Sequence, residues 1–190
     1  MAEKVSKTRG MASQPQVELV FSFAPKLSIK SLPVKPGELV VVFSHTLKAL
    51  SKDAKFLKAK ASLGNAHRKL SLYLCSDAEM RGFQKNYRSL DRTTDVLSFP
   101  TLEMTGDDLK SIPQTELSLG DLIISLVAVK RGAKRGKRTV RDEFVEVFIH
   151  GILHLLGYDH VLTNVGTTKR EALKMRALQK KLFLDLSSRL

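Results

Sequence analysis

The sequence predicts an α+β fold, a single domain whose four-stranded sheet has helices packed around it. Two observations lead there. Four short stretches, 17–23, 67–75, 95–99 and 119–125, read as strands, while five longer ones carry apolar residues at helical spacing. No internal repeat or second domain is visible, and 190 residues suffice for one domain with a real core.

Residues 1–15 are polar and read as a disordered tail, leaving 16–190 as the folded unit. Val17, Leu19, Phe21 and Phe23 alternate with other residues, which makes 17–23 the first strand. Pro33 and Pro36-Gly37 punctuate a loop. A helix over about 37–61 follows, with Leu47, Leu50, Ala54, Leu57 and Ala61 at helical spacing, and Gly64-Asn65 ends it. Leu70, Leu72 and Leu74 alternate in the second strand. Ser76 or Asp77 caps a helix over about 77–87, with Glu79 in its first turn. The loop 88–94 leads to a short strand, D-V-L-S-F, which Pro100 ends; proline suits a sheet edge or terminus. A long polar loop, 101–118, precedes the fourth strand, 119–125, entered through Gly120-Asp121. A short helix over about 126–134 runs into a basic loop. Thr139-x-x-Asp142 opens the helix 140–156 in the manner of a capping box. The last helix, 167–185, carries Ala172, Met175, Leu178 and Leu182 on one face.

The composition is that of a globular protein, 43% hydrophobic and 27% charged. Its departure is a net charge of +13, which favours polyanions such as nucleic acid or the ribosome. One cysteine, Cys75, rules out an intramolecular disulfide and fits a cytoplasmic setting. Cys75 lies in an apolar run and reads as a buried small hydrophobe. The N-terminus lacks the apolar core of a secretory signal. The longest apolar run, 39–43, is far short of a membrane span, so no membrane partner is expected.

The chemistry concentrates in 149–160, I-H-G-I-L-H-L-L-G-Y-D-H, which holds three of the five histidines. His150 and His154 are four apart, one turn of a helix, so both imidazoles share a face. Gly157 supplies a left-handed stop, after which the chain can turn His160 toward the same point. Three imidazoles leave the fourth position of a tetrahedral Zn²⁺ open, as in catalytic sites. Cu, Ni and Fe accept the same ligands, so one zinc per chain is the favoured reading. The spacing matches the metzincin pattern H-E-x-x-H-x-x-G-x-x-H except that Gly151 replaces the glutamate that serves as general base. That loss argues against ordinary peptide cleavage.

Lys130, Arg131, Lys134, Arg135, Lys137, Arg138 and Arg141 crowd a segment free of acids just before the metal helix. It reads either as a solvated surface or as a guide for a phosphate backbone. Lys169, Arg170, Lys174, Arg176, Lys180 and Lys181 add charge to the last helix.

Three motifs, in order and spacing, resemble the YbeY family of rRNA maturation endoribonucleases. They are H-G-I-L-H-L-L-G-Y-D-H at 150–160, Y-R-S-L-D-R-T-T-D-V-L-S-F-P at 87–100 and L-G-D-L-I-I-S at 119–125. The likeness covers about 69–181; residues 1–65 share only a coarse strand-then-helix pattern. It implies a zincin-like fold with a mixed four-stranded sheet, and zinc held by His150, His154 and His160. It implies a functional arginine near the metal, Arg88, and single-strand-directed cleavage in rRNA maturation at the small-subunit 3′ end. Ribosome quality control, the small subunit, and ribosomal or GTPase assembly proteins as partners come with it. Two departures stand out: Ser89 where relatives commonly have glycine, and a basic last helix where they are acid-rich.

Ser98 is a candidate cleft residue, and Asp159 and Asp121 are candidates to orient a ligand imidazole or to shape a turn. His45 and His67 read as structural. Two rival functions remain: a metallopeptidase, and a zinc-stabilised ribosome assembly factor without chemistry of its own.

Overall fold

A computed structural model describes residues 3–9, 17–50, 67–101, 116–158 and 169–187. Five strands form one mixed sheet: β1 (Glu3–Arg9), β2 (Val17–Phe23), β3 (His67–Cys75), β4 (Val96–Pro100) and β5 (Glu116–Ser125), in the order β1-β2-β3-β5-β4. β2, β3 and β5 run parallel, and the two edge strands run antiparallel to their neighbours. The helices are α1 (Pro36–Leu50), α2 (Asp77–Arg88), α3 (Leu126–Gly136), α4 (Val140–Leu155) and α5 (Lys169–Ser187).

The α+β class and the mixed sheet agree with the sequence reading, and β2 and β3 start and end where their alternation does. Two details differ. Residues 3–9, expected in a disordered tail, run as β1 beside β2 and give the sheet a fifth strand. Polar sequence hid it, because an edge strand needs only one neighbour for its backbone and little apolar surface. The second detail is the start of β5, at Glu116 rather than at 119. Gly120 is not the entrance to that strand but part of a bulge within it. The register against β3 slips between Lys69 and Leu70, and Gly120 adopts φ +129. A Cβ there would stand 2.2 Å from the Phe99 carbonyl of β4. Residues 51–61 of the first predicted helix and 102–115 of the polar loop after β4 lie outside the described residues.

Alternation along the strands divides the core in two. Val17, Leu19, Phe21, Leu70, Leu72, Leu74, Leu122 and Ile124 face α1, α4 and α5, where Phe43, Phe144, Phe148, Met175 and Leu182 complete the main core. Tyr73, Cys75, Leu97, Phe99 and Ile123 share a smaller cluster with Met80 and Phe83 of α2. α4 is the central helix, with ten of its sixteen residues buried, which explains its nearly unbroken apolar sequence. β4 is an edge strand, where Pro100 removes no ladder hydrogen bond the sheet needs.

Candidate active site

α4 begins where Thr139 accepts a hydrogen bond from the Asp142 backbone N–H at 3.0 Å. It ends in a Schellman turn. Tyr158 N–H donates to the Leu153 carbonyl and Gly157 N–H to the His154 carbonyl, both at 3.0 Å, and Gly157 takes φ +80. The chain therefore reverses just after His154, as the glycine predicted. His160 and Asp159 lie outside the described residues.

His150 and His154 stand on successive turns of α4. Their Nε2 atoms are 3.1 Å apart and their rings meet edge to face at 77°. Gln179 of α5 fixes the first ring: its Oε1 lies 2.8 Å from His150 Nδ1, and its Nε2 donates to Glu146 Oε1 at 3.2 Å. A carboxylate only accepts, so the amide nitrogen of Gln179 belongs on Glu146 and its oxygen on His150. Nδ1 then carries the proton, and the Nε2 lone pair of His150 is directed at His154. Glu146 in turn pairs with Arg138, which also holds Glu143. Burial lowers the Arg138 guanidinium, but these two carboxylates outweigh it and raise it above its ordinary value.

Two nitrogens each 2.0–2.1 Å from one tetrahedral ion stand about 3.3 Å apart. The 3.1 Å Nε2 separation and the fixed tautomer of His150 therefore fit a shared metal ion. Among the described residues no three His, Cys, Asp or Glu side chains gather for one, and His160 is outside them.

The two imidazoles open into a cleft of about 1260 Å³ between α4, α5, β4 and the end of α2. Arg88, the last residue of α2, lines the same cleft, and its exposed guanidinium has no partner among the described residues. Arg92 and Arg176 line it likewise. Sequence reading missed Gln179, Glu146 and Arg92 as site residues; Arg92 lies within the 87–100 motif, while no local motif marks Gln179 or Glu146, which only the fold brings to His150. The basic segment, read as a solvated surface or as a guide for a phosphate backbone, is divided by the fold. Only Arg138 of its seven cations lines the cleft. Arg131 pairs with Asp77, and Arg141 with Glu38 at 2.9 Å. Lys130, Lys134, Arg135 and Lys137 are exposed on or just after α3.

Ser98 does line the cleft, and its hydroxyl donates to the Gly151 carbonyl at 3.3 Å. Gly151 explains its own identity. A Cβ there would meet Leu122 Cδ2 at 2.8 Å and Val96 Cγ2 at 3.3 Å, so any side chain would have to push aside the sheet side chains that α4 packs on. The cleft carboxylates are Asp95, Glu143 and Glu146 among the described residues, and each is engaged. Asp95 Oδ1 accepts from Val96 N–H at 2.8 Å, and the other two hold Arg138. Asp121 shares the strand face of Ile123, which packs toward α2, so it points away from α4 and from His150 and His154. Ser89 sits in the left-handed region at φ 55, capping α2; a glycine at that position would adopt it without steric cost. Cys75 is fully buried, and burial pushes its thiol up to about 12, with Glu79 and Asp77 adding to the shift. It is a packing residue.

A family model described as Endoribonuclease YbeY matches residues 29–187. A protein of that name from a Nitratiruptor species is 38% identical over 118 residues, covering 62% of this chain and 69% of the relative. Its namesake from Bartonella quintana is 33% identical over 147 residues, covering 77% and 84%. One from a Sulfurihydrogenibium species is 36% identical over 145 residues, covering 76% and 86%. With a match across most of its length, the chain belongs to the YbeY endoribonuclease family.

Proposed function

We propose that this protein is a zinc-dependent endoribonuclease that cuts single-stranded RNA during rRNA maturation, at the 3′ end of the small-subunit RNA, and serves ribosome quality control. The observation that carries the reading is the shared cleft: Arg88, without a side-chain partner among the described residues, lines the same space as two convergent imidazole nitrogens. Family membership supports the RNA substrate and the cytoplasm as its place of work.

His150, His154 and His160 would hold the metal. When bound, the metal supplies Lewis acidity and a low-pKa water beside the scissile phosphate. The rest of the work falls to the chain. Gln179 keeps Nε2 of His150 deprotonated and aimed into the site. Arg88 presents a planar, permanently charged fork to the non-bridging phosphoryl oxygens, where negative charge grows in the transition state. Arg92 and Arg176 extend the positive wall along the RNA strand. The three cleft carboxylates among the described residues are engaged, so proton removal is not assigned to a dedicated glutamate, and the 2′-hydroxyl of the RNA remains available as nucleophile. The tight seat of Gly151 removes support from the metallopeptidase alternative, whose base would occupy that position.

The test is cleavage of a small-subunit rRNA 3′-end precursor by wild type, Arg88→Ala and His154→Ala, purified identically, with metal content and circular dichroism measured. Specific products from wild type, lost in a folded Arg88→Ala, establish the enzyme. Equal background in all three, with metal bound to wild type, makes it a non-catalytic assembly factor.

A further inference from the structure

We infer that Tyr87 and Gln84 form a nucleobase subsite in the cleft wall, where an unpaired base of the RNA stacks next to the phosphate held by Arg88. The inference rests on the endoribonuclease reading of the cleft and adds to it the group that recognises the strand. Tyr87 is 65% exposed, although its ring is fixed by neighbours. It stacks at 25° on Phe83 with centroids 6.4 Å apart, and meets Phe99 edge-on at 5.0 Å. Tyr73 continues the ladder at 6.0 Å from Phe83. An aromatic ring held rigid from behind and open to a positively charged cleft is the platform that single-strand binding proteins use, because every base offers a π-face.

Gln84 is the independent observation. It lies on the same face of α2, three residues before Tyr87 and four before Arg88. It lines the cleft, is 5% exposed, and its Oε1 has no hydrogen-bond partner among the described residues. A buried carbonyl without a partner is costly to maintain, and its presence in a binding wall calls for a ligand donor. A carboxamide turns easily about its last torsion and offers both a donor and an acceptor, the complement of a base edge. In a duplex that edge is paired and both faces of the base are stacked. Only an unpaired base can use Tyr87 and Gln84 together. Arg88 and Arg92 line the same cleft as the platform and suit the phosphates of that strand.

The experiment is fluorescence anisotropy of a short single-stranded oligoribonucleotide, and of the same chain with abasic sugars, binding the full-length metal-loaded protein; gels confirm that the RNA stays intact. Tyr87→Ala is expected to weaken binding of the normal strand roughly five- to a hundredfold and to leave the abasic strand unchanged. Tyr87→Phe should bind like wild type. Gln84→Met should fold at least as stably and level the affinities for the four homopolymers. An equal loss for both strands, or no loss, overturns the subsite, and unchanged homopolymer preferences remove Gln84 from it. If Tyr87→Ala fails to fold, wild type decides: equal affinity for normal and abasic strands overturns the subsite. Wild type that binds neither strand overturns the RNA reading of the cleft itself.

Discussion

Gln179 Oε1 lies 2.8 Å from His150 Nδ1, so a residue of the C-terminal helix decides which nitrogen of a proposed metal ligand faces the cleft. The amide is itself held by Glu146 and, through it, by Arg138. The orientation of the imidazole thus depends on α5 being docked.

Replacing Gln179 with leucine should therefore weaken metal binding without unfolding the protein. Partners of this kind are worth about 10- to 100-fold in metal affinity. Competition with a chromophoric chelator measures it, and an unchanged dissociation constant would sink the role assigned to Gln179.

Gly151→Ala sets two effects against each other. Alanine gains about 1 kcal/mol of helix propensity over glycine. Its methyl would press on Leu122 and Val96 inside a packed core, an overpacking that costs about 1–3 kcal/mol. The expected result is a net loss of up to about 2 kcal/mol in urea denaturation. A stabilised variant would show that the helix and sheet can part at no cost.

Tyr73 and Glu79 should give the fold a pH dependence at both ends. The Tyr73 hydroxyl donates to Glu79 Oε1 at 3.0 Å, and Ser76 gives Glu79 Oε2 its N–H at 3.0 Å and its hydroxyl at 2.8 Å. Burial raises the Glu79 carboxyl, but these hydrogen bonds outweigh it and hold it below its ordinary 4.5. A depressed carboxyl stabilises the fold above pH 4.5, and that contribution disappears as pH falls through the native value. Tyr73 shifts the other way: burial first, then Glu79, push its phenol up to about 12. Its contribution is complete below pH 10 and is lost as pH rises toward 12. Stability of Glu79→Gln should be lower at neutral pH and should fall less between about pH 5 and 3 than that of wild type. Parallel curves for the two proteins would refute the assignment.

What could be read from the sequence was what is local. β2 and β3 betray themselves by alternation, α2 by Ser76 and Glu79, and the stop after His154 by Gly157. The partial site, His150 with His154, follows from a four-residue spacing. What could not be read depends on contacts across the chain. Gln179 reaches His150 from 29 residues away, and nothing in its own helix distinguishes it from a solvated glutamine. Gly120 looked like a boundary, because a glycine in a strand carries the same letter whether it opens the strand or bulges within it. The segment 130–141 looked uniformly cationic, because charge pairing is invisible until Asp77, Glu38, Glu143 and Glu146 are brought beside it.

That pairing governs how salt should act on RNA binding. Each phosphate contacted by a protein cation releases condensed counterions, and for single strands the affinity falls with the logarithm of salt at about 0.7 per phosphate neutralised. Arg131, Arg138 and Arg141 reach that exchange with carboxylates already in hand. They displace an acid before they displace an ion, and their share of the slope is cancelled. The steepness is left to cations in the cleft wall without a carboxylate partner among the described residues, such as Arg88 and Arg92, and to the exposed lysines. Removing Arg131 or Arg141 should therefore change the salt slope less than removing Arg88 or Arg92.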